Sequence, residues 1–183
     1  MEREFTRLVE RPTRKNYLAA RDAVLRVSPR LVQTAELVEI GQLLADGEAA
    51  AALVRLAALS PAAALSPRVH IRSAEAAEAL GDSENCELER FLFVICIRAL
   101  LATGDGSEAA PYEVCNAADA SDLLESLGLE PIRQALVSRG ARAFDVVDCV
   151  AGRRLWFDVT GVMPPRKMRR SVSRPRKARH AAK

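Results

Sequence analysis

The sequence predicts an α+β chain that is predominantly helical, with helical hairpins followed by a small antiparallel β-α-β-β-β module. Alanine fills 32 of the 183 positions while aromatic residues make up only 4%, a composition that favours closely packed helices over a β-sandwich. Apolar residues recur at helical spacing between Gly and Pro stops as far as Thr103. Beyond it, short apolar runs alternate with glycine-containing turns, the pattern of strands.

Each element has its own start and stop. Tyr17, Leu18, Val24 and Leu25 mark a helix that Thr13 can cap and Pro29 ends. A second fits Leu31 to Ala45, with Leu37, Ile40, Leu43 and Leu44 on one stripe and Asp46-Gly47 at its close. A third fits Glu48 to Leu59 and stops at Ser60-Pro61. Pro67, preorganised for a first helical turn, opens a fourth that ends at Gly81. The fifth runs from Ser83 to Thr103 and is apolar nearly all round through Phe91 to Ile97, which predicts burial on both sides. After the loop Thr103 to Pro111, Tyr112 to Cys115 reads as a strand and Ala120 to Leu127 as a short helix. Gln134 to Ser138, Ala143 to Val150 and Leu155 to Thr160 read as three further strands, turned at Gly140 and Gly152.

The hairpins carry a period. Gly47 and Gly81 lie 34 residues apart, and at the same offset Leu37 matches Ile71, Ile40 matches Ala74, Leu43 matches Ala77 and Ala52 matches Cys86. A 34-residue helix-turn-helix period with small residues at the crossing is the tetratricopeptide pattern. Its hallmark Trp and Tyr are absent, and Arg90 stands where an aromatic is expected. The stretches Leu65 to Asp82 (LSPRVHIRSAEAAEALGD), Glu87 to Leu92 (ELERFL), Ala99 to Val114 (ALLATGDGSEAAPYEV) and Leu155 to Thr160 (LWFDVT) together resemble a family of uncharacterised bacterial proteins. In that family tetratricopeptide-like helices precede a small β-containing end. The resemblance implies a bacterial source and this architecture, and it implies no activity or catalytic residue.

Several chemistries find no support. Met1 to Glu10 alternates charge without an apolar stretch, so no secretory signal is expected. The apolar run from Phe91 is too short to span a bilayer. Cys86, Cys96, Cys115 and Cys149 form no CxxC pair and no His-containing cluster. They read as small buried residues in a reducing, cytoplasmic setting. His70, beside Ile71 and Ala74, reads as a packed or capping histidine, and His180 has no residue to orient it. With no nucleophile elbow, nucleophilic catalysis is not expected. Gly104-Asp105-Gly106-Ser107 lacks the Lys and spacing of a phosphate loop, so Asp105 reads as a turn former. Asp145 and Asp158 are the sharper case. A two-residue turn at Ala151-Gly152 sets them face to face, with Val147 and Trp156 on the same side, and calls for an Arg or a cation between them. A three-residue turn separates them. Trp156, the sole Trp, is expected half buried against the fifth helix or exposed as an anchor for a partner.

The sequence divides into a helical domain, residues 1–104, an α+β module packed on its last helix, residues 105–163, and a basic tail, residues 164–183, expected to be disordered. Tail residues Arg166, Lys167, Arg169, Arg170, Arg174, Arg176, Lys177 and Arg179, with Lys183, face no acidic residue, so the preceding 163 residues carry 18 basic against 24 acidic groups. The expectation is a non-enzymatic adaptor that binds another protein and uses no cofactor. Two rivals are a nucleic-acid- or ribosome-associated factor acting through the tail, and a metal-dependent enzyme using Asp105, Asp145 and Asp158. Deleting residues 164–183 should leave the melting temperature nearly unchanged and abolish most binding to generic nucleic acid. For the full chain, that binding should weaken steeply between about 50 and 200 mM salt in a filter-binding assay. Lower stability on truncation, with weak binding from the outset, would instead show the tail folded on the acidic body.

Overall fold

The computed structural model describes residues 1–27, 32–116 and 118–162. The expected stop at Pro29, the helix start at Leu31 and the basic tail lie outside the described residues. Helices α1 (Glu2–Glu10), α2 (Arg14–Val27), α3 (Thr34–Ala45), α4 (Ala49–Ala57), α5 (Pro67–Ala79) and α6 (Ser83–Leu101) come first. They are followed by β1 (Tyr112–Glu113), α7 (Asp119–Ser126), β2 (Pro131–Arg139), β3 (Arg142–Cys149) and β4 (Arg154–Asp158). The chain is therefore α+β and mostly helical. No helix among the described residues is long and apolar enough to cross a membrane.

The two turns at the 34-residue offset close in the same way. Gly47 and Gly81 adopt φ of +79° and +76°, a left-handed conformation that ends a helix without a Cβ penalty. Past each glycine a backbone N–H reaches back to the helix: Glu48 to the Leu43 carbonyl at 2.8 Å and Asp82 to the Ala77 carbonyl at 2.9 Å. The matched positions Ile40 and Ala74, and Ala52 and Cys86, are buried.

One helix escaped the sequence pattern. In α1 only Phe5, Leu8 and Val9 turn inward among charged neighbours, and Leu8 is fully buried. The Asn16 amide holds the end of α1 to α2 by donating to the Arg7 and Arg11 carbonyls.

The sheet corrects the antiparallel expectation. Its order is β1-β4-β3-β2, and β1 runs parallel to β4, pairing Tyr112 with Phe157. Only the β2-β3 and β3-β4 pairs are antiparallel. A parallel neighbour needs a crossover, here α7 together with the β2-β3 hairpin. Among the described residues β2 is an open edge, blunted by Pro131, a bulge, Arg133 and Arg139.

Helices and sheet share one core. Leu8, Tyr17, Val24, Ile95 and Leu100 from the helices join Leu123 of α7 and Val147, Leu155 and Phe157 of the sheet in a single buried cluster. The boundary near residue 104 therefore separates segments of the chain but not hydrophobic cores. Two arginines of α2 tie the halves further. Arg14 donates to the Thr103 carbonyl and pairs with Glu113, while Arg21 donates to the Val114 and Thr160 carbonyls.

The expectation that α6 is buried on both sides holds for its second half only. Ile95, Cys96, Ile97, Ala99 and Leu100 are buried, whereas Phe91 is 50% exposed and Leu92 only partly covered. The reason is coverage: α1, α2 and the sheet pack over the C-terminal half of the helix and nothing described reaches the outer face of its N-terminal half. Ile95→Ala should cost about 2–5 kcal/mol through cavity formation, and Phe91→Ala about 1 kcal/mol or less, as measured by urea unfolding of each variant.

Candidate functional site

The acids singled out in the sequence do not converge. The β3-β4 turn spans three residues, Val150–Gly152, with Ala151 at φ +63°, so Asp145 pairs with Phe157 and Asp158 with Phe144. That one-residue offset puts the two carboxylates on opposite faces of the sheet. Asp145 accepts from the Gln134 amide, and burial, only partly opposed by that bond, raises its pKa. Asp158 accepts two bonds from the Arg142 guanidinium, at 3.0 and 2.6 Å, and one from the Thr160 N–H at 2.8 Å. Burial pushes its pKa up, but these bonds outweigh it and leave the group below the usual range. Asp105 accepts from the Ser107 N–H at 2.8 Å. The Ser107 side chain first, and then this N–H, hold its carboxyl low; the bond also folds the loop, whose Gly106 carbonyl receives the Trp156 N–H at 2.8 Å. Gly104 allows the loop to close: a Cβ there would lie 2.3 Å from the Ala110 carbonyl oxygen. Among the described residues no three His, Cys, Asp or Glu side chains group at metal-ligating distance.

Trp156 follows neither expectation. It is 8% exposed and lies on the sheet face opposite Leu155 and Phe157, away from α6. There it meets Phe144 edge-on at 5.6 Å, in a small cluster with Val146, and the Arg139 guanidinium lies 6.0 Å from its ring. The tail arginines and lysines from Arg166 to Arg179 lie outside the described residues. His70 is buried, with Nδ1 2.7 Å from Glu89 and Nε2 3.1 Å from the Ala64 carbonyl, a satisfied packing histidine.

Sequence reasoning missed a groove on the opposite side of α5. One concavity of about 490 Å³ lies between α3 and α7, with Val38, Gly41 and Gln42 on one wall, Ser121 on the other, and Arg68 and Arg72 on its floor. A second of about 440 Å³ adjoins it, sharing both arginines and adding Ile71, Phe93 and Glu125. Arg68 bridges to Asp122 at 2.6 Å and Glu125 at 3.2 Å, clamping α5 to α7. Arg72 spends one nitrogen on Glu75 at 2.6 Å, and its Nε is buried with no partner among the described residues. Gly41 leaves room beside that guanidinium, since a Cβ there would sit 3.5 Å from it. The groove thus has walls of small and apolar residues and a charge-balanced floor.

A second missed feature supports the groove from behind. Asp119 is fully buried, and its Oδ2 accepts from the Cys115 and Asn116 N–H groups, both at 2.8 Å. Its Oδ1, the Asn116 Oδ1 and the Tyr17 hydroxyl are buried with no hydrogen-bond partner among the described residues. Burial raises the Asp119 pKa to about 7 against those two bonds. Burial, then the Asp119 charge, also push the Cys96 thiol and the Tyr17 hydroxyl up. An acid at the start of a short helix reads in sequence as an exposed cap, so nothing local marks it as buried.

No family model, no curated protein and no solved structure matches the chain.

Asp119 sets a pH dependence. The folded state keeps its proton up to about pH 7, while an unfolded Asp releases it near 3.8. Its contribution is therefore full below about pH 4 and lost as pH rises to about 7, a change on the order of 4 kcal/mol. Asp119→Asn keeps the acceptor for both N–H groups and cannot titrate. Urea unfolding from pH 4 to 8 should show most of the slope gone in that variant. What remains should come from Asp122 and Asp145, whose pKa values burial also raises.

Proposed function

We propose that the protein is a non-enzymatic adaptor that binds a segment of another protein in the groove between α3 and α7. The observation that carries this reading is the continuity of the two concavities through Arg68 and Arg72 along one side of α5. A trough with small residues on its walls and paired charges on its floor suits a peptide segment, which brings apolar side chains and backbone carbonyls together. The Nε of Arg72, which has no acceptor among the described residues, adds a donor that such a segment could satisfy.

The hairpins of α3-α4 and α5-α6 are read here as tetratricopeptide-like repeats. Their identical turn closures at Gly47 and Gly81 and the 34-residue offset support that reading. In it α7 and the sheet take the place of a following repeat, covering the end of the helical stack. Four buried free thiols suit a cytoplasmic setting.

Val38 is 67% exposed on the groove wall, so Val38→Glu tests the site without touching the core. Val38→Glu combined with Gly41→Leu should reduce recovery of specifically bound protein at least tenfold in affinity capture from bacterial extract, at unchanged melting temperature. Recovery unaffected by the groove substitutions but lost on deleting residues 164–183 would contradict the reading and favour the tail.

A further inference from the structure

The N-terminal half of α6 carries an exposed apolar stripe. Leu88, Phe91 and Val94 are 49%, 50% and 40% exposed, and their spacing sets them along one side of the helix. Glu84 extends the stripe at one end and Arg98 at the other, and both are exposed. Neither has a hydrogen-bond or ion-pair partner among the described residues, whereas Arg90 is engaged by Glu78 at 2.8 Å. Phe91 is the midpoint: Leu88 and Val94 lie three residues to either side, Glu84 and Arg98 seven. At the rise of an α-helix the two charges stand about 10 Å from the centre. The stripe is thus symmetric in position and opposite in charge at its ends.

We propose that this stripe is a homodimer interface, in which α6 docks antiparallel on α6 of a second copy of this chain about a two-fold axis through Phe91. The arrangement brings Phe91 against Phe91 of the second copy, Leu88 against its Val94, and Glu84 against its Arg98, with each contact made twice. Antiparallel helix dipoles add to the attraction. A parallel pairing sets Glu84 against Glu84 and Arg98 against Arg98, so the charges select the direction. The other exposed apolar pair, Ile132 and Leu136 on the β2 edge, lacks this property. Pairing β2 with its own copy about Leu136 sets Arg133 opposite Arg139, a like-charge contact. The groove between α3 and α7 uses other faces, so dimerisation leaves it accessible and the proposal stands apart from the adaptor reading.

Sedimentation equilibrium of the full chain from about 1 to 200 µM, a range set by the modest size of the patch, tests the proposal. The expected result is a reversible monomer-dimer equilibrium. Phe91→Glu should weaken it at least about 100-fold, with an unchanged circular dichroism spectrum because the side chain is half exposed. Glu84→Arg alone and Arg98→Glu alone should each weaken it about tenfold, and the double swap should restore it to within about threefold. These charges also suit the dipole of α6 itself, so the readout is dimer affinity and not stability. A chain that stays monomeric throughout would overturn the proposal. So would a dimer indifferent to Phe91→Glu, or a double swap no better than the single variants; loss only on substitution in β2 would point to edge pairing instead.

Discussion

Burial of the C-terminal half of α6 is the constraint on which the rest of the molecule depends. Ile95, Ala99 and Leu100 are enclosed in one cluster that takes Leu8 and Tyr17 from one side and Val147, Leu155 and Phe157 from the other. A four-stranded sheet whose β1 has two residues and β4 five has little core of its own, and α1 buries little beyond Leu8. Each gains its apolar contacts by packing into this shared cluster, so removing any one layer exposes the others. The bonds from Arg14 and Arg21 of α2 to the carbonyls of Thr103, Val114 and Thr160 then fix the angle at which the sheet meets the helices.

Polar order at the junction follows from the same packing. Val114, Cys115 and Asn116, which follow β1, turn inside the core, which removes their backbone N–H groups from water. Asp119 supplies the acceptors that the Cys115 and Asn116 amides would otherwise lack, and the cost is a buried carboxyl with a raised pKa. The Arg68–Asp122 bridge continues this link outward to α5 and sets the far wall of the groove. The groove therefore depends on the junction: its α3 and α5 surfaces belong to the helical stack, and its α7 wall is held by the buried acid.

Much of the fold was legible in the sequence because it depends on local signals. Gly47, Gly81, Gly128 and Gly140 stand at element ends or turns, each with positive φ, and Pro67 opens α5. What was not legible depends on distant partners. The parallel pairing of Tyr112 with Phe157 joins residues far apart in the chain and leaves no local trace. Helical periodicity cannot say which side of an all-apolar run lacks a neighbour, so Phe91 was expected inside and lies half outside. The face occupied by Trp156 rests on the length of the turn at Val150–Gly152, and one residue more or less moves it to the other side of the sheet. The groove residues Gly41, Arg68 and Arg72 carry no motif. They become a site only when α3, α5 and α7 are assembled.

Around α6 the helices and the sheet form a single cooperative unit. Native-state hydrogen exchange tests this most directly. The amides of residues 95–101 and the paired amides of β3 and β4 should exchange only through global unfolding, with one common free energy that responds identically to denaturant. Sheet amides that exchange through a separate opening of markedly lower free energy, while α6 remains protected, would contradict it.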